Sequence, residues 1–172
     1  MPCYAGIGSR STPLDILSYM TAIGYYMASK GWILRSGGAL GADSAFEQGC
    51  NKWYYENAKN GWPIPKEIFK AWDIKRDDDS LIALNMASTI HPNWPACTEH
   101  VRKLHARNIF QIHGRNFQEP VKSVICWTPR GEDVGGTRTA IVAARKYGIK
   151  IYNLANDATL DYIMNRFHIN VR

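Results

Sequence analysis

The strongest constraint on this chain is a pair of glycine-rich turns, Ser36-Gly37-Gly38-Ala39-Leu40-Gly41-Ala42-Asp43 and Gly135-Gly136-Thr137-Arg138. Each follows a short apolar run that reads as a buried strand: Trp32 to Leu34 before the first, Val124 to Trp127 before the second. Each opens a segment whose apolar residues recur at helical spacing. A strand, a glycine turn and a helix N-terminus in succession leave backbone N–H groups unpaired and gather the positive end of the helix dipole. Such a corner attracts an anion, most commonly a phosphate. Two of them in one small chain predict a pocket for a phosphorylated, nucleotide-like ligand.

The remaining sequence supplies the same alternation. Cys3 to Ile7 reads as a strand that ends in Gly8-Ser9-Arg10. Thr12-Pro13-Leu14-Asp15 predicts a helix start, with Thr12 as N-cap and Pro13 at the first helical position. Ile16, Leu17, Met20, Ile23 and Met27 give that helix an apolar stripe, and Gly31 ends it. The helix from about Gly41 turns Ala42, Ala45 and Phe46 inward and is expected to stop at Gly49. Residues 50–65, with Trp53, Tyr54, Tyr55 and Trp62, read as a surface excursion packed onto the body. A third strand is expected over Glu67 to Trp72, and Asp77-Asp78-Asp79 suits a helix start better than a metal site.

A helix from about Thr98 carries Val101, Leu104, Ile109 and Ile112 on one side, and Ser123 to Trp127 forms the fourth strand. The helix after Gly136 carries Ala140, Ile141, Ala144 and Tyr147 and closes at Gly148. Ile149 to Leu154 is a fifth strand, and Asp157 is expected to cap a last helix. Strands alternating with helices predict a mainly parallel central sheet with helices on both faces. Ligands of such sheets lie at the carboxyl ends of the strands. Gly8-Ser9-Arg10, Ser36-Gly37-Gly38, the residues after Trp72 and Gly135-Gly136-Thr137 are therefore expected to converge on one crevice.

At 172 residues and 45% hydrophobic composition, the chain suits a single domain spanning residues 1–172. No run approaches the roughly 20 apolar residues of a membrane span. The opening Met1-Pro2-Cys3-Tyr4 lacks a signal-peptide layout, so a cytoplasmic protein is expected. Four cysteines stand far apart without a C-x-x-C pair, which speaks against a disulfide framework. His91, Cys97, His100 and His105 lack standard zinc-ligand spacing, and neither metal nor cofactor is expected. The net charge of +6 suits an anionic partner without choosing between a nucleotide and a nucleic acid.

Tyr4 to Arg10, Leu34 to Glu47, Leu104-His105-Ala106-Arg107-Asn108 and Val124 to Pro129 together resemble the SLOG superfamily of Rossmann-like domains. That superfamily joins the DNA-processing protein DprA and the Lonely Guy (LOG) phosphoribohydrolases, and the likeness is greatest to small stand-alone members, many encoded by bacteriophages. The resemblance implies a three-layer Rossmann-like α/β fold, a nucleotide or nucleotide-derived ligand, association into a dimer or higher oligomer, and a host-cytoplasmic location. It also admits weak single-stranded DNA binding of the DprA kind. The LOG signature P-G-G-x-G-T-x-x-E carries a catalytic glutamate, and Ala140 stands at that place here. An alanine neither binds a ribose hydroxyl nor moves a proton, so LOG-type hydrolysis is disfavoured.

Turn chemistry and the resemblance together nominate Gly8, Ser9, Arg10, Ser36, Gly37, Gly38, Gly41, Asp43, Arg107, Asn108, Gly135, Gly136 and Thr137 as ligand-binding residues. Arg10 at a strand end can grip a phosphate bidentately. Asp43, in a first helical turn, either caps the helix or binds a ribose hydroxyl. No catalytic residue is nominated.

Overall fold

In the computed structural model, which describes residues 1–170, β1 (Cys3–Gly8), β2 (Ile33–Ser36), β3 (Lys66–Ile68), β4 (Ser123–Trp127) and β5 (Lys150–Asn153) form one sheet. Its order is β3-β2-β1-β4-β5 and every pairing is parallel. Alternation along the strands divides the core into two layers. Cys3, Ala5 and Ile7 of β1 join Val124 and Cys126 of β4 on one face, under α3 (Asp78–Ile90), α4 (Glu99–His113) and α5 (Arg138–Lys146). Tyr4 and Ile125 point the other way, under α1 (Leu14–Ser29), α2 (Ala42–Asn57) and α6 (Asp157–Arg166). The result is a three-layer, Rossmann-like α/β fold. Fully buried side chains such as Phe46, Ile23, Ile109 and Ile141 each contribute roughly 1.5–3 kcal/mol of transfer free energy.

The helix starts follow their capping side chains. Asp77 caps α3, accepting from Ser80 N at 2.8 Å, and Thr98 caps α4, accepting from Val101 N at 3.3 Å. Two expected caps shift by one residue. Pro13, not Thr12, holds the N-cap of α1, because the Thr12 hydroxyl donates back to Ser9 O at 2.6 Å. Asn156, not Asp157, caps α6, accepting from Thr159 N at 3.0 Å.

Gly49 does not stop α2. A Cβ there would lie 1.9 Å from Thr21 O of α1, and one at Gly24 would lie 2.3 Å from Phe46 O. The two glycines let the backbones of α1 and α2 touch, so Gly49 serves packing while α2 runs on to Asn57. The surface excursion therefore shrinks from 50–65 to about 58–65. Trp53 packs against the core beneath α1 and α2, and the Tyr54 hydroxyl donates to Trp62 O. The third strand is also shorter than expected, ending at Ile68 before a 3-10 turn over Ala71–Asp73.

Candidate functional site

The chain winds from β1 out through β2 to β3, then returns to the other side of β1 at β4. The loops that leave the ends of β1 and β4 thus depart in opposite directions, and a crevice opens between them. A cavity of about 470 Å³ occupies that position. Gly8 at the end of β1 and Ser9 and Arg10 just after it line it on one side, and Pro129, Val134, Gly135, Gly136 and Thr137 from the loop after β4 on the other. Helix α4 supplies Val101, Leu104, His105, Arg107, Asn108 and Gln111, while Ile7, Asp43 and Ala140 add inner wall and Ala39 is the one residue of the Ser36–Gly41 turn that reaches it.

The second glycine turn is open to a ligand. Gly135 has φ +68°, a conformation that a side chain would strain, whereas Gly136 keeps negative φ. Among the described residues, the N–H groups of Gly135, Gly136 and Thr137 find no protein acceptor. They sit at the start of α5, where the dipole favours negative charge. Asn108 holds the turn in place by donating from Nδ2 to Gly136 O at 2.7 Å. Arg10 stands exposed at the cavity mouth and, among the described residues, makes no ion pair.

The first glycine turn is closed by the chain itself. The Asp43 carboxylate accepts from Gly37 N at 3.0 Å and from Ala39 N at 3.4 Å, and Ser36 Oγ accepts from Gly38 N at 3.1 Å. Ser36 Oγ in turn donates to Glu47 at 2.6 Å. The amides that a phosphate would need are already satisfied by an internal carboxylate and hydroxyl. Accordingly Ser36, Gly37, Gly38 and Gly41 do not line the cavity, and neither do the residues after Trp72. The turn instead anchors Arg107, which donates from Nη1 to Gly37 O at 2.6 Å. Gly41, at φ +90°, packs beneath the Ser9–Arg10 backbone, where a Cβ would come within 3.1 Å of Arg10 Cα.

Two titratable groups on the inner wall are displaced in opposite senses. Burial pushes the Asp43 carboxyl up from 3.8 to about 6, against the pull of Arg107 and its amide donors. Burial, with His91, Arg107 and Arg138 nearby, pulls His105 from 6.5 down to about 4. His105 Nδ1 lies 2.7 Å from Thr139 Oγ1, and its ring packs 4.5 Å from that of His91. Burial lowers the pKa of Arg107 as well; Asp43 opposes this, and Arg10 adds to it. Among the described residues, the buried Arg107 Nε has no partner. The site thus offers a neutral imidazole, a cationic guanidinium, and an acid that changes charge close to neutrality.

Of the residues nominated from sequence, the structure brings together Gly8, Ser9, Arg10, Asp43, Arg107, Asn108, Gly135, Gly136 and Thr137. Gln111, Leu104 and His105 were not nominated, yet they line the same cavity. The available signal was the spacing of Leu104, Asn108 and Gln111, which sets two amides on a helix face that also carries leucine. Among the described residues, no group of three or more His, Cys, Asp or Glu could hold a metal ion. No helix among them is long and apolar enough to cross a membrane. Comparison with protein-family models, curated proteins and solved structures finds no match to this chain.

Proposed function

We propose that this protein binds a phosphorylated nucleoside or nucleotide-derived ligand in the cavity between the β1 and β4 ends, as a sensor or a sequestering protein. One observation carries the reading. The unpaired N–H groups of Gly135, Gly136 and Thr137, the start of α5, and unpartnered Arg10 meet at the mouth of a single cavity. Backbone donors and a helix dipole complement a phosphate, and a guanidinium adds a forked pair of donors. The volume of about 470 Å³ falls in the range of roughly 300–1,000 Å³ usual for small-ligand sites. The resemblance to SLOG domains points the same way, and it further implies a dimer or higher oligomer as the working form.

A second reading, hydrolysis of the bound ligand, draws on Asp43. A buried carboxyl that titrates near 6 within a cavity has the properties of a general acid or base. Against it stands Ala140, which presents only a methyl group to the cavity. Binding without turnover is the better-supported reading.

Calorimetry with a panel of nucleoside monophosphates tests the proposal, comparing wild type with Arg10→Glu. The substitution sets a negative charge beside the phosphate, and because Arg10 is exposed and unpaired it leaves the melting temperature unchanged. Loss of binding in a folded variant supports the cavity. Binding as tight as wild type means the ligand sits elsewhere. Chromatography of the same mixtures for released free base separates binding from hydrolysis.

A further inference from the structure

The cavity is chemically divided along its depth. Arg10, Val134, Gly135 and Gly136 at the mouth are exposed, whereas Ile7, Asp43, Gln111 and Ala140 are 3%, 4%, 2% and 1% exposed. Helix α4 leads toward the start of β4, so residues later in it lie farther from the strand ends. Gln111 is one turn beyond Arg107 in that direction and therefore lies at the floor.

Among the described residues, the side-chain amide of Gln111 has no protein hydrogen-bond partner, although the residue is almost wholly buried. Neither atom of that amide is sealed from the cavity, so its donor and its acceptor are both open to a ligand there. Asn108, 7% exposed, commits its Nδ2 to Gly136 O and keeps its Oδ1 unpartnered among the same residues. Arg107 gives Nη1 to Gly37 O, and Gln111 and Asn108 add neutral amide groups farther along the same helix face. Ile7 and Ala140 flank them with apolar surface.

We propose that Gln111 reads the hydrogen-bonding edge of a nucleobase at the cavity floor, so that the ligand enters base first with its phosphate at the Arg10 and Gly135–Thr137 mouth. A carboxamide presents a donor and an acceptor side by side, which matches the adjacent donor and acceptor of a base edge. Ile7 and Ala140 suit the faces of a flat ring. A free sugar phosphate would satisfy the mouth and leave the floor unmatched. The inference rests on the phosphate-binding reading above and adds to it the identity of the buried end.

The test is the ratio of affinities for a nucleoside 5′-monophosphate and for ribose 5-phosphate, measured by calorimetry on wild type and on Gln111→Leu. Leucine keeps the volume and removes both hydrogen-bonding groups. Wild type is expected to prefer at least one of the four common nucleoside monophosphates over ribose 5-phosphate by on the order of 10–100-fold. In Gln111→Leu that preference collapses toward the small contribution of ring burial. Equal affinity of wild type for ribose 5-phosphate and every nucleotide overturns the inference without any variant. So does a preference that survives in a folded Gln111→Leu protein. Failure of all these ligands, ribose 5-phosphate included, to bind wild type overturns the phosphate reading instead.

Discussion

Replacing Asp43 with Asn separates the cost of a buried carboxylate from its role. In the folded protein Asp43 is 4% exposed, forms no ion pair among the described residues, and titrates near 6 rather than 3.8. The native state therefore binds more protons than the unfolded chain between those two values. Stability falls as pH rises through that window and stays lowered above it. The difference between 3.8 and about 6 corresponds to about 3 kcal/mol. Asparagine keeps an oxygen to accept from Gly37 N and Ala39 N but never ionises. Below about pH 4 the two proteins should be nearly equal in stability. By pH 7 Asp43→Asn should be the more stable by up to about 3 kcal/mol. Urea unfolding followed by tryptophan fluorescence at pH 4, 5, 6 and 7 measures the difference directly. His105 contributes the opposite slope, since its depressed pKa means stability lost as pH falls from 6.5 toward 4, but that contribution is shared and cancels in the comparison. A variant that becomes less stable than wild type as pH rises would refute the reasoning, because it would mean that Arg107 holds the carboxylate charged.

Three further outcomes are expected. Gly49→Ala forces a Cβ to within 1.9 Å of Thr21 O, so α1 and α2 must separate. A loss of roughly 1–3 kcal/mol or more in chemical denaturation is expected, and an unchanged midpoint would show that the two helices are not in backbone contact. Tyr4→Phe removes a buried hydroxyl that lacks a partner, and its melting temperature should match or exceed wild type; a clear drop would reveal a hydrogen bond at that oxygen. Single-stranded DNA should bind weakly, without sequence preference and with steep salt dependence, so submicromolar affinity at physiological salt would favour a DprA-like role.

The layers of the fold were legible because continuous apolar runs such as Cys3 to Ile7 and Val124 to Trp127 mark strands buried on both faces, and because Asp77 and Thr98 announce their helices locally. Gly49 was misleading for the opposite reason. Its role is fixed by Thr21 on another helix, which no local pattern reveals. The candidate site divides in the same way. Arg10 and the Gly135–Thr137 turn follow strand ends, where residues that reach such a cavity are expected from sequence. The closing of Ser36–Gly38 depends on where the Asp43 carboxylate swings, and the place of Gln111 depends on how α4 lies against β1 and β4. Both are tertiary facts.

The central claim is that the second glycine turn receives a phosphate while the first is already satisfied. Backbone amide shifts in isotope-labelled protein, followed by NMR during titration with nucleoside monophosphates, address it residue by residue. Saturable shifts at Gly135, Gly136, Thr137 and Arg10, with smaller movement at Gly37 and Gly38, are the predicted result. Shifts concentrated at Gly37 and Gly38, or none near the β1 and β4 ends up to millimolar ligand, would contradict it.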